Sequence, residues 1–136
     1  MNDQMNVKTE PESDSREKTT ENLEYVKSVL GEAEQYDHAA RVLMFDQETI
    51  CPADAMEEQG RVMAFLSNQS YKLIKDPAFV EAAEDLYAHR DRLGERDSAL
   101  AGLLHRAYLQ NKNITPAMQH EFSLVFNRAF VKWSEA

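Results

Sequence analysis

Four histidines, one cysteine and a close pair of carboxylates are the side chains of this 136-residue sequence with the most chemistry to offer. A helical zinc site is built from two histidines one turn apart with a glutamate between them, because His-Glu-x-x-His puts both imidazoles on one face and the carboxylate beside the metal-bound water. The nearest approach is His120-Glu121-Phe122-Ser123-Leu124, in which Leu124 stands where the second histidine would be needed. His38, His89, His105 and His120 fall on four different predicted helices. Each can meet a carboxylate locally, as Asp85 and His89 would at i,i+4, and surface or structurally bonded imidazoles are the expectation for all four. Asp46 and Glu48 invite a reading as an acid–base pair. Two positions apart on a helix, however, they diverge by about 200°, so bracing the neighbouring turn suits them better than gripping one substrate atom. Cys51 has no histidine in evident register and reads as an apolar filler. Glycine-rich phosphate loops and a supported Ser-His-Asp order are absent from the sequence. No catalytic residue and no metal ligand is expected among these residues.

The elements that would position these groups are all helical. Leu23, Val26, Leu30, Ala33, Ala40 and Met44 recur at three- and four-residue steps, with Val29, Tyr36 and Leu43 widening the stripe. They predict a first helix from an N-cap at Thr20 to about Thr49, roughly 45 Å at about 1.5 Å per residue. Gly31 weakens it without breaking it. Val42 and Phe45 lie opposite Leu30 and Ala33, which predicts a helix end packed on two sides; Gln47 and Glu48 step onto the core stripe. Pro52 stops the helix, and Asp54 with Glu57 three residues on suggests the cap of a second helix running to about Lys75. Asp76-Pro77 opens a third, read as ending at a Gly94 C-cap. A fourth is expected from about Asp97 to Asn111, and Thr115-Pro116 opens a fifth. On that last helix Met118, Phe122, Val125, Phe126, Ala129, Phe130 and Trp133 form the expected core face, with Leu124 and Val131 behind them. Residues 1–19 are too polar to offset their ordering entropy and are expected to form a disordered leader. Residues 20–136 then make one all-α domain of about five helices, bundle-like and antiparallel, with a long first helix.

One stretch carries a resemblance to a known family. Phe45-Asp46-Gln47-Glu48-Thr49, followed by Pro52, resembles the W-D-Q-E-T-x-M-P signature near the N-terminus of the carboxypeptidase Taq family of zinc metallocarboxypeptidases. The likeness continues through Gly60-Arg61, Phe65-Leu66-Ser67 and Tyr71-Lys72-Leu73. Phe45 stands where tryptophan is usual, Cys51 where methionine is usual, and the glycine common after the proline is missing. The resemblance implies that residues 20–136 correspond to the N-terminal helices of a longer, groove-shaped fold, truncated before the His-Glu-x-x-His helix. It also implies zinc as the cofactor of the full-length protein, peptides trimmed from the C-terminus as its substrate, and a missing C-terminal catalytic region as the first partner. Phe45, Asp46, Gln47, Glu48, Thr49 and Pro52 are then structural signature residues. The competing expectation is a free-standing helical interaction module, self-associating as a homodimer or binding another protein. A small metal-binding bundle using histidines from several helices is the third.

Composition narrows the field. The net charge of −9 disfavours a phosphate backbone or an anionic membrane surface as partner. No apolar run approaches the roughly 18 residues of a membrane span, and Met1–Thr20 has no apolar core of a secretory signal. With one cysteine there is no internal disulfide, which fits a cytoplasmic protein.

Overall fold

The computed structural model describes residues 10–136; of the leader expected over residues 1–19, residues 1–9 lie outside them. The described chain is all-α. Helix α1 spans Glu10–Thr49, α2 Met56–Lys75, α3 Pro77–Ala88, α4 Glu95–Asn111 and α5 Pro116–Glu135, with single 3-10 turns at Ala53–Ala55 and Arg90–Arg92.

Three of the expected boundaries move. Helix α1 begins ten residues before Thr20, whose hydroxyl donates to the Arg16 carbonyl instead of capping. The early start has anchors: Thr19 is buried and donates to the Ser15 carbonyl, and Arg92 donates to the Ser15 hydroxyl at 2.6 Å. Residues 10–19 are therefore helix, not leader. Asp54 lies within the 3-10 turn, and the α2 N-cap is Ala55, with no side-chain cap. Gly94 does not terminate α3; its extended backbone, φ −65° and ψ 166°, is the N-cap of α4. The two Pro-led starts form as expected. Asp76 accepts from the Ala78 amide at 2.9 Å and Thr115 from the Met118 amide at 3.2 Å, each with proline in the first turn, where no amide bond is lost.

Long-range hydrogen bonds set the directions. Helix α2 folds back along α1, tied where Gln59 Nε2 donates to the Leu43 carbonyl. Across the Asp76-Pro77 corner α3 continues the same way and reaches Asn22, whose amide donates to Asp85 at 2.8 Å. Helix α4 returns alongside α3, with Lys27 of α1 paired to Asp97 at 2.8 Å near its start. At its end Lys75 donates to the Asn111 carbonyl at 2.8 Å, a cation on the negative end of the helix. Helix α5 then runs back along α2, its entry tied by the Tyr71 hydroxyl to the Ile114 carbonyl at 2.7 Å. The result is three columns, up, down and up: α1, then α2–α3, then α4–α5.

The packed core is at one end. Val26, Phe79, Ala82, Ala83, Leu86 and Ala101 form a buried cluster where α1, α3 and α4 meet, with Leu23, Leu30, Ile74 and Leu93 packed against it. Small alanines let the helices approach while Leu86 and Phe79 fill the space between. The other end is built differently, and two expectations fail there. Phe45 and Val42 are exposed, Phe45 by 69%: nothing among the described residues packs on the far side of α1. Helix α5 is rotated relative to the expected face. Gln119, Ser123 and Asn127 turn toward α2 and Leu124, Phe130 and Val131 are half-buried, while Phe122, Val125, Phe126 and Trp133 face outward.

Candidate functional site

Where α1 turns into α2, the signature residues act as joiners. Asp46 Oδ2 accepts from Gln59 Nε2 at 2.7 Å, and the same amide nitrogen reaches the Leu43 carbonyl at 2.9 Å. Gln47 is buried, and its Nε2 donates to the Met56 carbonyl at 2.9 Å and to Asn127 Oδ1 at 3.1 Å. One side chain thus ties all three columns. Thr49 donates to the Phe45 carbonyl at 2.7 Å, closing the last turn of α1 on itself. Pro52 has extended backbone and its carbonyl accepts from the Ala55 amide at 2.9 Å, which starts the next turn. Cys51 is half-buried, and its thiol donates to Gln59 Oε1 at 3.0 Å. Burial pushes the Cys51 thiol pKa up, and the carboxylates of Asp46 and Asp54 push it further, the opposite of an activated nucleophile. Glu48 is exposed and Asp46 half-buried.

Several partners in this lattice are not evident from the sequence. Gly60 is buried under Asn127, where an added Cβ would overlap the Asn127 carboxamide. Asn68, also buried, donates to the Pro116 carbonyl at 2.7 Å and to Gln119 Oε1 at 3.0 Å. Gln119 in turn donates to Ser123 at 3.1 Å. The signal that could have revealed this was the polar row Gln119, Ser123, Asn127 at four-residue steps, beside the aromatics of α5.

Between the first and third columns the bundle is open. A cleft runs along α1 with α2–α3 as its floor, and two cavities lie in it. One, of about 540 Å³, is bounded by Leu30, Ala33, Ile74, Phe79 and Leu104. The other, of about 460 Å³, lies among Ala40, Met44, Met63, Ala64, Phe126 and Phe130. Asp37 borders both. The walls are apolar, and the rims carry Glu34, Asp37, Glu48 and Glu84 against Arg41 and Lys75.

The histidines take local partners. His105 Nδ1 lies 2.9 Å from both carboxylate oxygens of Glu84 and its ring stacks on Tyr87 at 3.9 Å. His89 Nδ1 lies 2.9 Å from the Asp85 carbonyl and 3.3 Å from its carboxylate, the i,i+4 pairing expected of those residues. His38 is exposed and His120 half-buried.

A family model for the carboxypeptidase Taq (M32) metallopeptidases matches residues 25–136. The chain belongs to that family. No curated protein and no solved structure matches it. The family's zinc needs at least three protein ligands. Among the described residues no three of His, Cys, Asp and Glu gather closely enough to hold a metal ion; the pairs His105–Glu84 and His89–Asp85 offer two donors each. The donor set present does not fit that zinc, and no catalytic step can be routed through it here. Among the described residues no helix is long and apolar enough to cross a membrane.

Proposed function

We propose that this chain is the N-terminal, non-catalytic wall of a zinc-dependent metallocarboxypeptidase that removes C-terminal residues from peptides in the cytoplasm. In this reading the zinc-bearing helix belongs to chain beyond these residues, and Phe45, Asp46, Gln47, Glu48, Thr49 and Pro52 form a structural joint that fixes the angle between the columns. The observation that carries the reading is the outward aromatic face of α5, with Phe126 74% and Trp133 76% exposed, together with Phe45 and Ile50 uncovered at the α1–α2 turn. An apolar surface of this kind is the mark of a face made to be covered. A single ordered joint beneath it suits a wall that must hold its shape while something else docks.

The test is a comparison of two proteins. The chain alone, supplied with zinc, should release no amino acid from N-blocked peptides. The same chain joined in frame to the His-Glu-x-x-His region of a family member should release C-terminal residues and lose that activity to a chelator. Chelator-sensitive release by the chain alone would overturn the proposal. An inactive but well-folded fusion would point instead to a free-standing interaction module, including a homodimer through the α5 face.

A further inference from the structure

The open side of the bundle has a shape and a charge that specify what fits it. Three columns in up, down, up order are a four-column bundle with one position empty, and the cleft between α1 and α4–α5 is that position. At its two ends the first and third columns are bridged by Lys27–Asp97 at 2.8 Å, beside the packed core, and by Gln47–Asn127 at 3.1 Å. From Leu30 to Glu48 the cleft follows α1 for 18 helical steps, about 27 Å at the helical rise.

The charges along this length do not cancel. Arg41 is paired with Glu34, Glu84 with His105, and Lys75 is spent on the carbonyls at the end of α4. Asp37 and Glu48 are left without an ion pair among the described residues. They are eleven residues apart on α1, which is three turns and brings both to the same side of the helix. Between them lies the apolar strip of Ala40 and Met44.

We propose that the cleft binds one cationic amphipathic helix, antiparallel to α1, whose apolar face fills the two cavities. Two basic side chains of that helix, three turns apart, pair with Asp37 and Glu48. This deepens the reading of the chain as a wall, because it names the chemistry of the segment the wall receives. It can fail while that reading stands.

The test uses synthetic 18-residue helices with a leucine–alanine face, labelled with fluorescein and titrated with the chain by anisotropy. One carries lysines eleven positions apart; its control carries glutamates there. The lysine helix should bind about tenfold or more tightly than the control, the size expected from two complementary rim charges. The double variant Asp37→Asn/Glu48→Gln, isosteric at half-buried Asp37 and exposed Glu48, should bring the two helices within about twofold with the circular dichroism unchanged. Met44→Arg should abolish binding of the lysine helix with the circular dichroism unchanged. Equal affinity for the two helices would overturn the charge assignment. Binding that survives Met44→Arg would place the helix elsewhere, such as on Phe122, Val125 and Trp133 of α5, which lie outside the cleft, and would overturn the cleft assignment. No binding of either helix would overturn both, whereas loss of peptidase activity in the fusion described above would count only against the wall.

Discussion

The two ends of α1 are held in opposite ways. Toward its N-terminus it is held by an apolar cluster in which Val26 and Leu86 are the most completely buried large side chains. Toward its C-terminus it is held by amides: Gln47 and Gln59 tie it to α2 and, through Asn127, to α5, while Val42, Met44, Phe45 and Ile50 nearby are exposed. The first arrangement draws its stability from removing apolar surface from water, without directional demands. The second gains little net free energy per bond but fixes geometry, since each buried amide is satisfied only in one arrangement of the helices. A core end that folds and a joint end that orients is the division expected of a part shaped to receive another.

The largest expected effect tests the core end. Leu86 is 1% exposed, and Leu86→Ala should cost about 2–5 kcal/mol in chemical denaturation. If the ends are as distinct as described, native-state hydrogen exchange in this variant should lose protection in α3 and the N-terminal half of α1 more than in α5. Uniform loss would show that the two ends unfold as one unit.

Gly60 sharpens the same contrast at the joint. Replacing a helical glycine with alanine ordinarily stabilises by about 0.5–1 kcal/mol. Here the new methyl would displace the Asn127 carboxamide and break its bond with Gln47, so Gly60→Ala should instead destabilise by about 1–2 kcal/mol. In an Asn127→Ala background the sign should reverse, to a gain of about 0.5–1 kcal/mol. A thermodynamic cycle without that reversal would mean that the close approach of α5 to α2 does not depend on this pair.

How much of this was readable in advance follows the same division. The apolar stripe from Leu23 to Ala33 and the caps at Asp76 and Thr115 gave the helices and the core, because burial and capping leave periodic and local traces. The joint showed itself only in part. Gln47 steps onto the core stripe, but Asn68 and Asn127 look like surface residues until their partners 48 to 80 positions away are known. Helix α5 misled for a related reason: its richest apolar face is the outward one, so maximising burial within these residues put the wrong side inward. Helix α1 misled at its start because residues 10–19 have no apolar stripe, and tertiary contacts such as Ser15–Arg92 hold them.

Alkaline pH tests the entry to α5 apart from the core. Burial raises the Tyr71 pKa above its ordinary value of 10.0, so the fold favours the neutral phenol that donates to the Ile114 carbonyl. The stability from that preference is complete below the unfolded-state value and is lost as pH rises through the folded-state value. Tyr71→Phe should lose about 1 kcal/mol at neutral pH and show a shallower fall in stability above pH 10 than the parent chain. An equally steep fall would assign the alkaline loss to other groups.

The smallest expected effect is the most pointed. A phenylalanine in a packed core costs about 3–5 kcal/mol when cut to alanine. Phe45, 69% exposed, should cost less than about 0.5 kcal/mol in this chain. Its neighbour Asp46 is fixed by Gln59, so the ring's direction is set by the joint even though nothing lies over it. If Phe45 belongs to a face that chain beyond these residues covers, the same substitution in the fusion with the His-Glu-x-x-His region should cost about 2 kcal/mol or more, the amount recovered by burying the ring. A cost equally small in both proteins would make Phe45 an ordinary surface residue, and the joint beneath it would then have no surface to orient.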